Sequence, residues 1–157
     1  MSVAVRSARN TDLDFIIECN LRLARETEDK QLETQTLRTG VRRALESEHK
    51  GRYFIAELDG RPAGQLMLTR EWSDWRNGFF WWIQSVYVVA DARRRGVFAS
   101  LYHHVEDEAR GNADVCGLRL YVEHENSAAQ RIYQRLGLMR TGYRIMEIEF
   151  RSALGGS

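Results

Sequence analysis

The chain has 157 residues, of which 43% are hydrophobic and 29% charged, and this composition is typical of one folded domain with a sizeable core. Its net charge of +1, from 23 basic and 22 acidic residues, argues against a general binder of nucleic acids. The longest apolar run, 78–83, is too short to cross a bilayer, and the N-terminus lacks the pattern of a signal peptide. We therefore expect neither a nucleic-acid partner nor a membrane partner.

The cysteines and histidines predict no metal site. Cys19 and Cys116 stand alone in the sequence, without metal-ligand spacing. We interpret both as free thiols in a reducing cytoplasm, with core packing as their role. His103, His104 and His124 also lack the geometry of metal ligands and are interpreted as structural or surface residues.

The N-terminal part predicts one strand followed by two helices. Residues 3–8 alternate apolar and polar side chains, as in a short strand. The next segment predicts a helix that is capped by Asn10 or Thr11. Its apolar face at helical spacing comprises Leu13, Ile16, Ile17, Leu21 and Ala24. A weaker, more charged helix is predicted over 33–48.

The middle of the chain predicts three strands. Segments 53–58 and 63–70 flank the turn sequence Asp-Gly-Arg-Pro at 59–62, which indicates a hairpin with Gly60 at positive φ. A long aromatic and β-branched strand is predicted over 79–89. Strand alternation places its side chains on two faces, one with Phe80, Trp82 and Gln84 and the other with Phe79, Trp81 and Ile83.

The C-terminal part predicts a helix over 96–110, a strand over 118–122, a helix over 126–136 and a last strand over 139–150. The order β-α-α-β-β-β-α-β-α-β indicates an α/β (α+β) domain whose mixed sheet carries helices on both faces.

An arginine run, Arg93-Arg94-Arg95, precedes Gly96 where the strand over 79–89 leads into a helix. The first turn of a helix has N–H groups without partners and the positive end of the dipole. A glycine there lets a phosphate approach the backbone, and arginines add charge-assisted hydrogen bonds. Because 23 basic residues include only two lysines, Lys30 and Lys50, the run proves little by itself. Its position favours a pyrophosphate site over a nucleic-acid patch.

At this junction the chain resembles the GCN5-related N-acetyltransferases, the GNAT family, whose acetyl-CoA loop follows Arg/Gln-x-x-Gly-x-Gly/Ala. Arg93, Gly96 and Phe98 fall on the defined positions, although Phe98 replaces a small residue. The segment 126–138 is similar to the family's second motif. The matching residues there are Asn126, Ala129, Tyr133 and Gly137, whereas Leu138 replaces an aromatic residue.

The resemblance covers 3–150 as a single acetyltransferase domain, followed by a short tail at 151–157. It implies a mixed, mostly antiparallel twisted sheet in which two parallel strands, 83–89 and 118–122, splay apart around acetyl-CoA. The pantetheine arm would add to the first strand at the backbone of Val86, Tyr87 and Val88. The pyrophosphate would bind the loop and first helical turn, namely Arg93, Arg94, Arg95, Gly96, Val97, Phe98, Ala99 and Ser100. Asn126, Ala129 and Tyr133 complete the implied acetyl-CoA site.

The resemblance implies an acetyl-CoA-dependent N-acetyltransferase in which a primary amine, on a small molecule or a peptide, attacks the thioester directly. Tyr133 is the predicted general acid for the departing thiolate, with core packing as the alternative. Many relatives carry a glutamate where this chain has Gln84 and Ser85. Glu123 is therefore the candidate base, beside a water relay or one of Glu26, Glu28 and Glu33.

Two further interpretations stay open. The missing glutamate and Phe98 are compatible with a non-catalytic acyl-CoA-binding or regulatory domain on the same fold. All four tryptophans lie within 70–82, and those in the predicted hairpin loop form either an acceptor wall or a homodimer contact.

Overall fold

The computed structural model describes residues 2–155, which form a five-stranded sheet with four α-helices. The strands, in chain order, are β1 (Val3–Ser7), β2 (Arg52–Leu58), β3 (Arg61–Ser73), β4 (Gly78–Val88) and β5 (Val115–Leu120). The helices are α1 (Leu13–Glu28), α2 (Thr34–Glu46), α3 (Val97–Arg110) and α4 (Ser127–Arg135), with short 3-10 turns at Asn10–Asp12 and Ala90–Ala92. None of the helices in this part of the chain is both long enough and apolar enough to span a membrane.

The sheet has the order β1-β2-β3-β4-β5, antiparallel through β4 and parallel between β4 and β5. This arrangement confirms the predicted mixed, mostly antiparallel sheet with one parallel pair. The predicted hairpin joins β2 to β3, with φ of 52° at Asp59 and 82° at Gly60. Two consecutive positive φ angles are what a type I′ turn requires, so the turn sequence sets the register of this hairpin.

The helices cover the two faces of the sheet. One face packs on α3, and its core includes Leu66, Trp81, Ile83, Leu101 and Val105. The other face packs on α1 and α2, around Ile16, Ile17, Val41, Tyr53 and Ile55. The predicted split of the β4 side chains is confirmed, because Phe79, Trp81 and Ile83 all belong to the α3 side.

The start of α1 differs from the prediction. Neither Asn10 nor Thr11 provides a side-chain cap among the described residues. Asp12 occupies the N-cap position, but within the described residues its side chain accepts no hydrogen bond from the first turn of α1, and its Oδ2 accepts one of 2.7 Å from the Arg9 N–H ahead of the helix. The same carboxylate binds the Arg6 guanidinium at 2.8 and 2.9 Å, and this pairing lowers the pKa of Asp12. The Asp12–Arg6 ion pair thus joins the start of α1 to β1.

The prediction of a last strand over 139–150 is wrong. This segment is irregular and exposed in the described chain, although its side chains alternate as in a strand. A strand forms only when its backbone groups find a paired edge. Here the chain is held elsewhere at both ends, since Arg140 bonds Gln130 and the Ala153 carbonyl accepts from the Glu33 N–H.

The two cysteines differ in their surroundings. Cys19 is buried in α1, as predicted, and burial raises the pKa of its thiol to about 12. Cys116 is exposed on β5, so core packing is the wrong role for this residue.

Candidate active site

The parallel strands β4 and β5 pair over only part of β4. Their register runs from Phe79 opposite Val115 to Ile83 opposite Leu120, where β5 ends. β4 continues to Val88 without a β5 partner, so its backbone edge over 84–88 faces an opening. The predicted separation of the two strands is therefore present, and in the described chain it leaves Val86, Tyr87 and Val88 without a β5 partner, although the Tyr87 side chain is buried.

A bulge in β4 lies at the start of this open edge. Ser85 has φ of 51°, and the pairing with β3 shifts register between Gln65 and Met67. The fully buried Gln65 donates from Nε2 to the Ser85 carbonyl at 2.9 Å. Its Oε1 has no hydrogen-bond partner within 2–155. Gln65 was not among the predicted site residues, although it is a lone amide within the apolar segment 63–68.

The loop before α3 has the geometry of an anion site. Arg94 and Gly96 adopt positive φ of 64° and 80°, and a Cβ at Gly96 would meet nothing within 4 Å. In the described chain, the N–H groups of Gly96, Val97, Phe98 and Ala99 donate to no backbone or side-chain acceptor. The Ser100 N–H is different, because it bonds the Gly96 carbonyl at 3.0 Å. A shallow cavity of about 210 Å³ lies at these residues.

The arginines of this loop have different partners. Arg93 donates to Glu26 of α1 at 2.7 Å and, through Nε, to the Val88 carbonyl at 3.0 Å. Tyr87 donates to the same Glu26 carboxylate at 2.5 Å, and these bonds from Tyr87 and Arg93 lower the pKa of Glu26. Arg94 and Arg95 are exposed and form no ion pair with any described residue. They are therefore available to an anion, whereas Arg93 is held within the protein.

Helix α4 contacts the first turn of α3 through one aromatic pair. Asn126 caps the helix, because its Oδ1 accepts a hydrogen bond from the Ala129 N–H at 3.1 Å. Tyr133 packs edge-on against Phe98, with ring centroids 6.0 Å apart, and Phe98 also neighbours Tyr102. Burial raises the pKa of Tyr133, so its phenol stays protonated at neutral pH. The Tyr133 hydroxyl makes no hydrogen bond within the described residues.

Comparison with known proteins agrees with this geometry. The family model described as the Acetyltransferase (GNAT) family matches residues 17–138, which is most of the chain. The chain belongs to this GNAT family. The crystal structure of a possible acetyltransferase from Clostridium difficile 630 is 40% identical, with a TM-score of 0.89 over 97% of this chain and 100% of that one.

Two other relatives are more distant. A mycothiol acetyltransferase from Mycolicibacterium gilvum is 36% identical over 100 residues, which is 53% of this chain and 33% of the relative. The matched part of this chain thus spans about a third of that curated relative. The aminoglycoside N-acetyltransferase AAC(6')-Iy, solved in complex with CoA, is 18% identical with a TM-score of 0.74 over 96% of both chains. At that identity the likeness concerns the fold alone.

Most of the candidate base carboxylates of this GNAT chain already have partners. Glu26 binds Arg93 and Tyr87, as described above. Glu28 pairs with Lys30 at 3.2 Å. Glu33 caps α2 by accepting from the N–H groups of Gln35 and Thr36 at 3.1 and 2.6 Å.

Glu123 has a different setting, in the exposed loop that follows β5. Its Oε2 accepts from the Glu125 N–H at 2.9 Å, and the His124 ring lies 3.6 Å away. Gln84, near the position of the family's glutamate, donates to the Thr69 hydroxyl at 2.5 Å. Of these carboxylates, Glu33 and Glu123 have no lysine or arginine partner in the described chain; both oxygens of Glu33 accept hydrogen bonds, whereas Glu123 Oε1 accepts none.

An aromatic wall, which we define as Phe80, Trp82 and Tyr121, lies on the α1 and α2 side of β4 and β5. The Trp82 and Tyr121 rings are 4.5 Å apart, and the Arg119 guanidinium lies 3.6 Å from the Phe80 ring centroid. Glu71 links Trp82 of the wall to Arg119, because its Oε1 accepts hydrogen bonds from Trp82 Nε1 at 3.3 Å and from the Arg119 guanidinium at 2.6 Å.

The two tryptophans near the β3–β4 turn, Trp72 and Trp75, lie at the other end of β4. Trp72 pairs with Phe79 at the first residues of β4, whereas the arginine loop follows Val88. At about 3.3 Å per residue, this places them roughly 30 Å from the arginine loop.

Proposed function

We propose that this GNAT family member transfers the acetyl group of acetyl-CoA to a primary amine, on a small molecule or a peptide, in a ternary complex. The observation that carries the proposal is the first turn of α3. Within the described residues its N–H groups at Gly96, Val97, Phe98 and Ala99 have no acceptor, and they lie beside Arg94 and Arg95, which form no ion pair there. Such a turn suits a pyrophosphate, because donors, dipole and side-chain charge act on the same anion.

The residues present also fit the rest of acetyl-CoA. The open edge of β4 provides backbone groups at Val86, Tyr87 and Val88 for an extended, amide-containing arm, which would add to the sheet like a further strand. The Val88 carbonyl already accepts from Arg93, so this part of the edge is fixed before a ligand arrives. Asn126 and Ala129 contribute the start of α4. When bound, acetyl-CoA supplies the thioester carbon that the amine attacks.

Two side chains are proposed to move protons. Tyr133 donates the proton of its Oη to the departing sulfur, and its burial supports this role because the pKa of the phenol is raised. Glu123 accepts the proton of the amine, directly or through water, and its Oε1 supports this role because it accepts no hydrogen bond from a described residue. Backbone N–H groups at the β4 bulge are the proposed donors to the developing oxyanion.

The second candidate is a non-catalytic acyl-CoA-binding or regulatory domain. It is favoured by one observation: Gln84 and Ser85 stand where relatives carry a glutamate, and the Gln84 amide is occupied by Thr69. A thiol-release assay with acetyl-CoA and a panel of amines, including aminoglycosides and peptides with free N-termini, distinguishes the two. Turnover with any acceptor supports the enzyme. Calorimetric CoA binding without turnover supports the regulatory domain, and the lack of CoA binding would contradict both.

We also propose that the protein is located in the cytoplasm. It is supported by Cys19 and Cys116, which are both free thiols, one buried and one exposed. Unpaired cysteines are the common state in a reducing compartment. Fractionation of cells that express the protein, followed by immunoblotting, tests this location.

A further inference from the structure

Gln65 of β3 is a polar residue at a position that solvent does not reach. It is fully buried, and its neighbours along the strand, Leu66 and Met67, pack against the two cores of the protein. Within the described residues the side chain makes one hydrogen bond, from Nε2 to the Ser85 carbonyl at 2.9 Å, and its Oε1 makes none. A buried amide oxygen without a partner costs at least as much stability as a typical hydrogen bond contributes. Gln65 therefore adds little net stability to the fold.

The hydrogen bond of Gln65 is made to a residue with a strained backbone. Ser85 has φ of 51°, a left-handed conformation that a serine keeps only when its surroundings hold it. It lies in the bulge of β4, where Ser85 and Val86 together stand opposite Leu66 of β3. Because one residue of such a bulge has no place in the ladder, its backbone groups need other partners. The Gln65 amide is that partner for the Ser85 carbonyl.

The open edge of β4 is thus held by side chains at both of its ends. At the start, the Ser85 carbonyl accepts from Gln65 at 2.9 Å. At the far end, the Val88 carbonyl accepts from Arg93 Nε at 3.0 Å. Because both contacts are made within the protein, the direction of the backbone groups over 85–88 is set before a ligand is bound.

We propose that Gln65 is a positioning residue for acetyl transfer. By holding the Ser85 carbonyl, it sets the bulge so that the N–H groups of Ser85 and Val86 point at the thioester oxygen of bound acetyl-CoA. When the amine forms its bond to the thioester carbon, an electron pair of the carbonyl moves onto this oxygen, and donors fixed in advance stabilise the charge. A small change in their direction loses much of this effect. The inference rests on the proposed function, since it needs acetyl-CoA beside the open edge of β4.

The first test observes the thioester carbonyl directly and requires no acceptor amine. Acetyl-CoA labelled with ¹³C at the acetyl carbonyl is added to the wild type and to Gln65→Met, which keeps the length of the side chain and removes the donor. Binding to the wild type should move the carbonyl resonance downfield, because hydrogen-bond donors polarise the C=O bond. Most of this shift should be lost in Gln65→Met. Calorimetry should find its acetyl-CoA affinity within about threefold of the wild type, since the phosphate and pantetheine contacts lie elsewhere.

The second test separates positioning from packing. Gln65→Met removes the unpartnered Oε1 together with the donor, so its melting temperature should lie within about 4 °C of the wild type. With any amine that the wild type acetylates, kcat should fall about 10–10²-fold while the KM for acetyl-CoA changes little. Asn20→Leu is the matched control, because Asn20 is also a buried amide that donates to a backbone carbonyl, that of Ile16 within α1 at 3.0 Å. It should leave the carbonyl shift and kcat unchanged.

The outcomes separate this proposal from acetyl transfer itself. A lost shift at retained affinity supports the role of Gln65 even if no amine is turned over, and in that case only the proposed acetyl transfer fails. Equal kcat values in the wild type and Gln65→Met support acetyl transfer and overturn the role of Gln65. A wild-type resonance that stays at its free position, or a full shift in Gln65→Met, also overturns it. So does the loss of acetyl-CoA binding in Gln65→Met, because Gln65 would then support the site as a whole.

A double variant covers the case in which Gln65→Met fails to fold. Ser85→Gly is then added, since glycine adopts φ of 51° without strain and the bulge no longer needs the Gln65 amide for its stability. The double variant should fold, bind acetyl-CoA and lack the carbonyl shift. A full shift in the double variant would overturn the proposal.

Discussion

The carboxylate of Glu26, near the end of α1, lies 2.7 Å from the guanidinium of Arg93, the residue that opens the arginine loop. Tyr87 donates to the same carboxylate, and Arg93 also reaches the Val88 carbonyl. These bonds hold a helix, the open end of β4 and the loop in one arrangement. Arg93 therefore stabilises the loop conformation. The side chains that remain available to bind an anion are those of Arg94 and Arg95.

The first prediction concerns Glu26→Gln. The substitution removes a negative charge near the loop, so electrostatics alone would strengthen the binding of an anion. We expect the opposite, a several-fold weaker affinity for acetyl-CoA measured by calorimetry, because Arg93 and Tyr87 lose their common acceptor. Glu28→Gln is the control, since it removes the same charge on the same helix but bonds only Lys30. Tighter binding by both variants would show that Glu26 acts through charge alone.

The second prediction concerns the unpaired arginines. Replacing Arg94 or Arg95 by Ala should weaken acetyl-CoA binding by about 1–3 kcal/mol, the usual loss for a charge-assisted bond to a phosphate. The loss should shrink as salt is added, because exposed charges are screened. Arg61→Ala, at an exposed position in the hairpin, is the control and should bind normally. If both loop variants also bind normally, these arginines are ordinary surface charge.

The third prediction concerns Gly96. Gly96→Glu should abolish acetyl-CoA binding while the domain stays folded, because the new side chain points into open space where a phosphate would lie. Gly96→Ala separates charge from backbone strain, since any side chain at φ of 80° costs about 1–2 kcal/mol. We expect Gly96→Ala to lose about that much stability in urea titrations and to retain measurable binding. If a folded Gly96→Glu protein binds acetyl-CoA with unchanged affinity, the pyrophosphate does not bind at this turn.

The fourth prediction concerns Tyr133→Phe. Acetyl-CoA should bind with near wild-type affinity, while turnover falls about 10²–10⁴-fold, or roughly 3–5.5 kcal/mol of transition-state stabilisation. The loss should appear in kcat more than in KM. Tyr121→Phe, which removes the hydroxyl of an exposed tyrosine, should change turnover far less. A loss below about tenfold would assign Tyr133 to packing against Phe98.

The same tyrosine sets an expectation for pH. Burial raises the pKa of Tyr133 above its ordinary value near 10, so the acid form persists through the neutral and mildly alkaline range. At any pH below about 10, deprotonation of Tyr133 should therefore not lower the wild-type kcat. A descending limb that begins near pH 8 and disappears in Tyr133→Phe would contradict the raised pKa.

Local patterns were sufficient to predict most elements of the fold. The apolar spacing of α1, the turn at Asp59 and Gly60, and the two faces of β4 each depend on residues close together in sequence. The fold class also followed from element order, since a strand–helix–strand unit joins β4 to β5 in parallel.

The incorrect or missing predictions involve partners that the local hydrophobic pattern does not reveal, most of them distant in sequence. Asp12 occupies the start of α1 with its carboxylate bound to Arg6 of β1. Gln65 supports the bulge at Ser85, and Glu26 holds Arg93, through contacts that no local window contains. The segment 139–150 has the alternation of a strand, but whether a strand forms depends on which edge the folded chain offers.

The early end of β5 links the stability of the fold to its ligand. Between Ile83 and Val88, β4 has no strand partner on one side in the described chain, and unpaired strand edges of this kind favour aggregation. A ligand that lies along this edge acts as a missing strand, and at about 100 times its Kd it adds about 2.7 kcal/mol to the free energy of unfolding. In a cell, the lifetime and abundance of such a protein would rise and fall with the supply of that ligand.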